Sequence, residues 1–265
     1  MLPREKQIKA FNKLLDIMDE IREKCPWDKK QTLQSLRHLT IEETYELGDA
    51  ILDNNLDEIK KELGDLLLHI VFYAKIASEK NDFDIGDVIN GINKKLIHRH
   101  PHVFGDPENS GKIVKVENEE EVAKNWEKLK LKEGRKSILE GVPKSLPALI
   151  KSSRIQDKAA SAGFEWDRQE QVFEKVQEEI KELQYEVENN TNRIESEYGD
   201  VLFSLINYAR FINIDPESAL ERTNKKFINR FQFLEKEVLK EGKQLSDLSL
   251  SEMDVHWKKS KIFFK

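Results

Sequence analysis

Residues Val172 to Ala209 read VFEKVQEEIKELQYEVENNTNRIESEYGDVLFSLINYA. The apolar residues Val172, Val176, Ile180, Leu183 and Val187 fall three or four apart, the spacing of an amphipathic helix. At about 100° per residue, Glu179 lies beside that stripe, with Lys175, Glu182 and Glu186 on the same flank and Glu178 turned further toward solvent. The second half predicts another helix, on which Arg193, Glu197, Asp200 and Ser204 form a narrow polar stripe between Ile194, Val201, Leu205 and Ile212. Two such helices lying antiparallel bring Glu179, Glu182, Glu197 and Asp200 together. Four carboxylates at close range need cations to offset their repulsion.

Composition limits what such a cluster is for. A chain of 265 residues is near the upper size for one core, so one large or two smaller domains are expected. With 38% hydrophobic and 35% charged residues, and only 11 Gly and 7 Pro, the chain suits a helical protein with charged exposed faces. No apolar run approaches the roughly 18 residues of a membrane span. The start, Met1-Leu2-Pro3-Arg4-Glu5, lacks a signal-peptide core, so a cytoplasmic protein is expected. Cys25 is the single cysteine, which excludes an internal disulfide and a cysteine-rich zinc site; it reads as a small residue in a Cys-Pro-Trp-Asp turn. A net charge of −6 argues against direct nucleic-acid binding.

Upstream, Ile8, Phe11, Leu14, Leu15, Met18 and Ile21 predict a first helix over 5–23. Further helices are expected over about Thr32–Leu52 and Leu56–Ser78, and from a cap at Asp84, with Asp87 three residues on, to Pro101. Residues 105–112 read as a loop, 117–132 as a helix carrying Trp126, and 133–147 as a linker. No stretch shows the period-two alternation of an extended sheet, so the fold class is all-α.

An internal repeat organises these helices. Glu43, Glu46, Glu62 and Asp65 recur as Glu179, Glu182, Glu197 and Asp200, at offsets of 136, 136, 135 and 135. Asn93-Lys94-Lys95-Leu96-Ile97-His98-Arg99 recurs as Asn224-Lys225-Lys226-Phe227-Ile228-Asn229-Arg230, and Trp126 and Lys130 recur as Trp257 and Lys261. Trp27-Asp28 recurs as Trp166-Asp167. The offset changes only between helices, where loops absorb insertions. The chain therefore reads as a tandem duplication of a four-helix-type module, 1–135 and 136–265.

Hard divalent cations take oxygen ligands, and Mg2+ binds commonly through a few carboxylates plus substrate phosphates. On a later helix Lys226 and Arg230 share a face, and Lys175 and Arg193 flank the acids. Acids for metal beside bases for phosphate oxygens suit phosphoryl or pyrophosphoryl chemistry, and Trp257 can stack on a nucleobase. Each element alone is an ordinary solvated face or core residue. Their recurrence in the same order in both copies points to a site.

Glu-Glu-x-x-Glu followed by Glu-x-x-Asp in such a module resembles the MazG-type nucleoside triphosphate pyrophosphohydrolases. The resemblance runs over nearly the whole chain and includes Cys25-Pro26-Trp27-Asp28, Leu63-Gly64-Asp65-Leu66, Arg99-His100-Pro101-His102-Val103-Phe104 and Gly163-Phe164-Glu165-Trp166. It implies an all-α homodimer that hydrolyses ribo- or deoxyribonucleoside triphosphates to monophosphate and pyrophosphate with Mg2+. By position, it implies that Glu179, Glu182, Glu197 and Asp200 are metal ligands and catalytic residues. It likewise makes Lys175, Arg193, Lys226 and Arg230 triphosphate contacts, with Trp257 and Lys261 near the base.

The first copy keeps Glu43, Glu46, Glu62 and Asp65, a possible second metal site, together with Lys95, Arg99, Trp126 and Lys130. Yet Lys175 corresponds to Leu39 and Arg193 to Glu58, so the second copy is expected to be the main catalyst and the first structural or weakly active. His69, the counterpart of Ser204, falls on the acidic stripe and is open to a ligand, proton-shuttle or structural role. The alternative to an enzyme is a nucleotide-sensing or interaction scaffold built on the same helices.

Overall fold

The computed structural model describes residues 3–105, 111–118, 121–122, 125–126, 129 and 137–264. Its helices are α1 (Arg4–Lys24), α2 (Leu33–Leu52), α3 (Leu56–Ser78), α4 (Ile85–Arg99), the short α5 (Pro101–Phe104), α6 (Ala148–Ser161), α7 (Gln169–Glu188), α8 (Ile194–Phe211), α9 (Pro216–Lys240) and α10 (Leu250–Phe263). No β-strand occurs among the described residues, in agreement with the all-α expectation. Of the helix expected over 117–132, Glu121, Val122, Asn125, Trp126 and Leu129 are helical, while Lys130 and Arg135 lie outside the described residues. Two compact units divide between Glu117 and Asn118.

Local chemistry sets the helix ends. Thr32 and Ser35 cap α2 reciprocally, Asp84 and Asp87 do the same for α4, and Ser249 and Glu252 for α10. Pro101, lacking an amide hydrogen, separates α4 from α5. Positive-φ residues follow several helices, and four of them are asparagines: Asn54 (φ 53°), Asn81 (60°), Asn190 (47°) and Asn213 (55°), with Gly163 and Gly242 after α6 and α9. Asparagine tolerates this conformation because its short polar side chain bonds locally. Asn54 and Asn190 follow α2 and α7, and Asn81 and Asn213 follow α3 and α8, so the duplication is written in the backbone as well as in the acids.

In the first unit α2 pairs with α3, and α1 lies on α3. Its core is Met18, Leu36, Val71, Phe72 and Ile76, edged by Phe11, Leu14, Leu15, Ile21 and Leu39. In the second unit α7 pairs with α8, α6 packs on α8, and α9 pairs with α10. Val172, Val176, Val201, Ile206, Leu234 and Val238 are buried there.

One expectation shifts. The apolar stripe Val172–Val187 is covered only at its start: Val172 and Val176 are buried, but Ile180 is 39% and Val187 54% exposed, whereas Glu179 and Glu186 are buried. Glu179 faces the α8 partner, and Ile180 and Val187 on the later apolar edge of α7 are left exposed in the single chain. Periodicity names both faces of a helix but not which one the neighbour covers.

Candidate functional site

In the second unit, carboxylate oxygens of Glu179, Glu182 and Glu197 lie within 4.8 Å of one another. Glu179 and Glu182 come from successive turns of α7, and Glu197 reaches across from the first turn of α8. Glu179 and Glu197 are buried and Glu182 is exposed. Asp200 is exposed and does not join the trio.

Two cations neutralise this cluster. Lys175 Nζ lies 2.6 Å from Glu178 and 2.8 Å from Glu179, and these hydrogen bonds, that to Glu178 foremost, hold its pKa above the ordinary lysine range. The Arg193 guanidinium donates to Glu197 and stands 3.7 Å from Glu186, and the hydrogen bond to Glu197 holds its pKa up. Desolvation, helped by neighbouring Glu179, pushes the Glu182 carboxyl up, as expected where carboxylates crowd. Beside them lies a cleft of about 330 Å³, lined by Lys181, Glu182, Tyr185, Glu186 and Arg193.

The first unit repeats the trio with one change of member. Oxygens of Glu43, Glu62 and Asp65 lie within 4.8 Å of one another, while Glu46 is exposed and outside the group. Glu62 is 3% exposed, its Oε1 lies 3.1 Å from Lys61 Nζ, and its Oε2 has no partner. Desolvation first, then Asp65 and Glu46, raise the Glu43 carboxyl. Lys61 also pairs with Glu58 at 3.3 Å, so this trio has a cation after all, from a position where the second copy has Ser196. Sequence comparison missed Lys61 because it follows neither offset; its adjacency to Glu62 was the available signal.

Both trios fit a hard divalent cation. Each offers three oxygen donors from two helices, and Oε2 of buried Glu62 is an acceptor without a hydrogen-bond donor. His69 is buried beside Tyr73, with Nδ1 unpartnered; burial lowers its pKa, and it is not part of the trio. His98, His100 and His102 form no metal-ligand group among the described residues.

The remaining expected contacts form a separate group on α9 and α10. Arg230 donates through Nε and Nη2 to the Phe264 carbonyl at 2.9 and 2.6 Å, and its guanidinium lies 6.0 Å from the Trp257 ring. Trp257 also packs on Phe227, with ring centroids 5.1 Å apart. Lys226 is half-buried and Lys261 exposed. Lys95 is exposed and Arg99 half-buried in the first unit. Among the described residues no ion pair or hydrogen bond joins the α9–α10 group to the acidic trio.

The family described as the MazG nucleotide pyrophosphohydrolase domain matches this chain twice, over residues 31–104 and 168–233. These spans contain both trios, Lys175, Arg193, Lys226 and Arg230, and stop short of Trp257 and Lys261. The chain is 43% identical over 256 residues to the nucleoside triphosphate pyrophosphohydrolase/pyrophosphatase MazG of Thermotoga maritima, covering 95% of each protein. It is 39% identical over 261 residues to the nucleoside triphosphate pyrophosphohydrolase of Escherichia coli K12, covering 95% of this chain and 97% of the relative. The uncharacterized protein YabN of Bacillus subtilis is 45% identical over 258 residues, which are 95% of this chain and 51% of that longer protein. A domain match in each half, resting on the same paired carboxylate helices that the structure brings together, means that this chain belongs to the MazG nucleotide pyrophosphohydrolase family.

Proposed function

We propose that the protein hydrolyses nucleoside triphosphates, ribo- or deoxyribo-, to the monophosphate and pyrophosphate, with Mg2+ held in the second unit by Glu179, Glu182 and Glu197. The observation that carries this reading is the convergence of those three carboxylates with Lys175 and Arg193 on two of them. Asp200, one turn beyond Glu197 on α8, is the remaining acid available to a ligand. When bound, Mg2+ supplies Lewis acidity that makes water nucleophilic at neutral pH and offsets charge on the phosphates. Lys175 and Arg193 then exchange their carboxylate partners for phosphate oxygens. Water attacks the α-phosphorus, the bond to the bridging oxygen breaks, a carboxylate of the cluster accepts the proton, and the two cations hold the departing pyrophosphate. Arg230 and Lys226 serve the triphosphate and Trp257, with Lys261, the base.

The first repeat unit, 1–135, we read as a structural or weakly active copy whose trio Glu43, Glu62 and Asp65 binds metal; 136–265 is the catalytic one. We further propose a homodimer. Leu63, Leu67 and Ile70 on α3, and their counterparts Tyr198, Leu202 and Leu205 on α8, are all between 38% and 57% exposed. The same apolar face left bare twice is what a second copy of the chain would cover. No helix among the described residues is long and apolar enough to cross a membrane, and the cytoplasm is where nucleotide substrates of this class are found.

Incubation with Mg2+ and a panel of nucleoside triphosphates, followed by identification of products, tests the reaction. Monophosphate and pyrophosphate support it; diphosphate and phosphate, or no turnover, sink it. Light scattering tests the dimer, which Leu202→Glu is expected to dissociate.

A further inference from the structure

Glu186 is 7% exposed near the end of α7, a buried carboxylate outside the metal trio. It accepts a hydrogen bond from the Thr191 hydroxyl, and its Oε1 stands 3.7 Å from the Arg193 guanidinium. The Thr191 hydroxyl in turn accepts from the Arg193 amide at 3.2 Å. Thus both the backbone and the head of Arg193 are tied, through one loop, to a single carboxylate on the wall of the cleft. From these contacts we infer that Glu186 is a positioning residue for substrate binding: with Thr191 it keeps Arg193 at the cleft when Glu197 is taken over by a cation. The inference rests on the proposed reaction and deepens it.

Two features of the chain point the same way. In the first unit Ala50 occupies the place of Glu186, at the offset of 136 that relates the flanking acids, and Glu58 the place of Arg193. Carboxylate and cation are therefore lost together, as expected if one exists for the other. The turn differs too. After the left-handed Asn54, Asn55 accepts from the Glu58 amide and caps α3, which starts at Leu56. After Asn190 the buried glutamate comes one residue sooner, at Glu197, yet α8 starts only at Ile194, three loop residues on; Arg193 sits at its N-cap, and no side chain caps the helix. Thr191, which stands where Asn55 caps, instead faces Glu186. A capping interaction has been replaced by one that fixes Arg193.

The sign of the effect separates positioning from simple charge. A carboxylate beside an anionic triphosphate repels it, so charge alone makes Glu186→Gln bind substrate more tightly. Positioning makes it bind more weakly. The test compares full-length wild type, E186Q, R193Q and the double variant by steady-state pyrophosphate release with Mg2+. Calorimetric Kd values for a non-hydrolysable α,β-imido nucleoside triphosphate accompany the kinetics. The expected result is KM and analogue Kd raised roughly tenfold in E186Q, kcat changed less than about twofold, and a double variant no worse than R193Q. An unchanged or lowered KM in E186Q, additive effects in the double variant, or an indifferent R193Q overturns the inference while wild-type turnover keeps the reaction standing. No wild-type turnover overturns both. If E186Q melts early, Thr191→Val loosens the same clamp from the loop side and must raise KM in the same manner; if it leaves KM unchanged, the inference falls.

Discussion

The two units build the same acidic helix pair and neutralise it differently. In the first, Lys61 answers buried Glu62 from the adjacent position on the same helix, and one oxygen of Glu62 stays unpartnered. In the second, Lys175 and Arg193 reach the trio from the two helices, and Arg193 is anchored by Glu186 and its loop. Carboxylates alone make a cation site. On the proposed function, bases aimed from outside the trio let the same site recognise an anion that carries its own metal. The comparison teaches that duplication copied the acids, and that the cations reaching them differ between the two copies.

That contrast breaks most visibly at the buried acids. Glu197→Gln is expected to lower pyrophosphate release by roughly 10²–10³-fold, whereas Glu62→Gln leaves most of it, since losing a group that stabilises transition-state charge costs on that order. Equal losses, or the reverse ranking in a product-release assay, would refute the assignment of catalysis to the second unit. The matching pair, exposed Asp200→Asn and half-buried Asp65→Asn, should rank the same way. Next in size, Lys175→Gln is expected to raise KM by roughly tenfold, the loss of one charge-assisted contact, while Leu39→Lys at the matching place of the first unit changes nothing measurable.

Metal binding sharpens the comparison without turnover. Glu43 and Glu182 have raised pKa values, so the fold favours their protonated forms. That contribution to stability is full below the unfolded carboxylate range and is lost as pH rises through the raised values. The share of stability contributed by these two carboxyls is therefore expected to fall as pH rises toward 7, and Mg2+ to offset that fall there by mass action. Melting curves with and without chelator check it; a Mg2+ effect equal at pH 7 and at acid pH would count against metal at the trios. In Glu62→Gln the response should shrink to the second unit's share.

The smallest effect concerns scaffolding. Arg22 pairs with Glu79 at 2.8 Å and donates to the carbonyls of Asp28 and Gln31, pinning the turn after α1. The hydrogen bond from Arg22 holds Glu79 below the usual carboxylate range, so its stabilising share is lost as pH falls through that lowered value. In the second unit Arg210 reaches Glu165 in the matching turn. Either Arg22→Gln or Arg210→Gln should lower the melting temperature by about 2–4 °C with kcat unchanged, measured by calorimetry.

Much of the molecule was legible before folding. Helical spacing, the Asp84–Asp87 cap, the break at Pro101 and the recurrence of eight chemistry-bearing residues are local facts that a chain carries in its order. The acids Glu179, Glu182 and Glu197 were nameable because a repeat inside one chain supplies its own comparison.

What spacing could not supply is which side of each helix its neighbour covers. Asp200 and Ile180 are exposed, Glu186 is buried, and Asp65 rather than Glu46 completes the first trio. Those outcomes turn on rotation of one helix about its axis, and the turn after Asn190 delays the next helix to Ile194, whereas α3 begins two residues after Asn54. The sequence by itself thus determined the helices, their duplication and the acids. Only tertiary structure decided which three acids meet and which buried carboxylate holds Arg193, because contacts between helices depend on turn length and facing, not on periodicity.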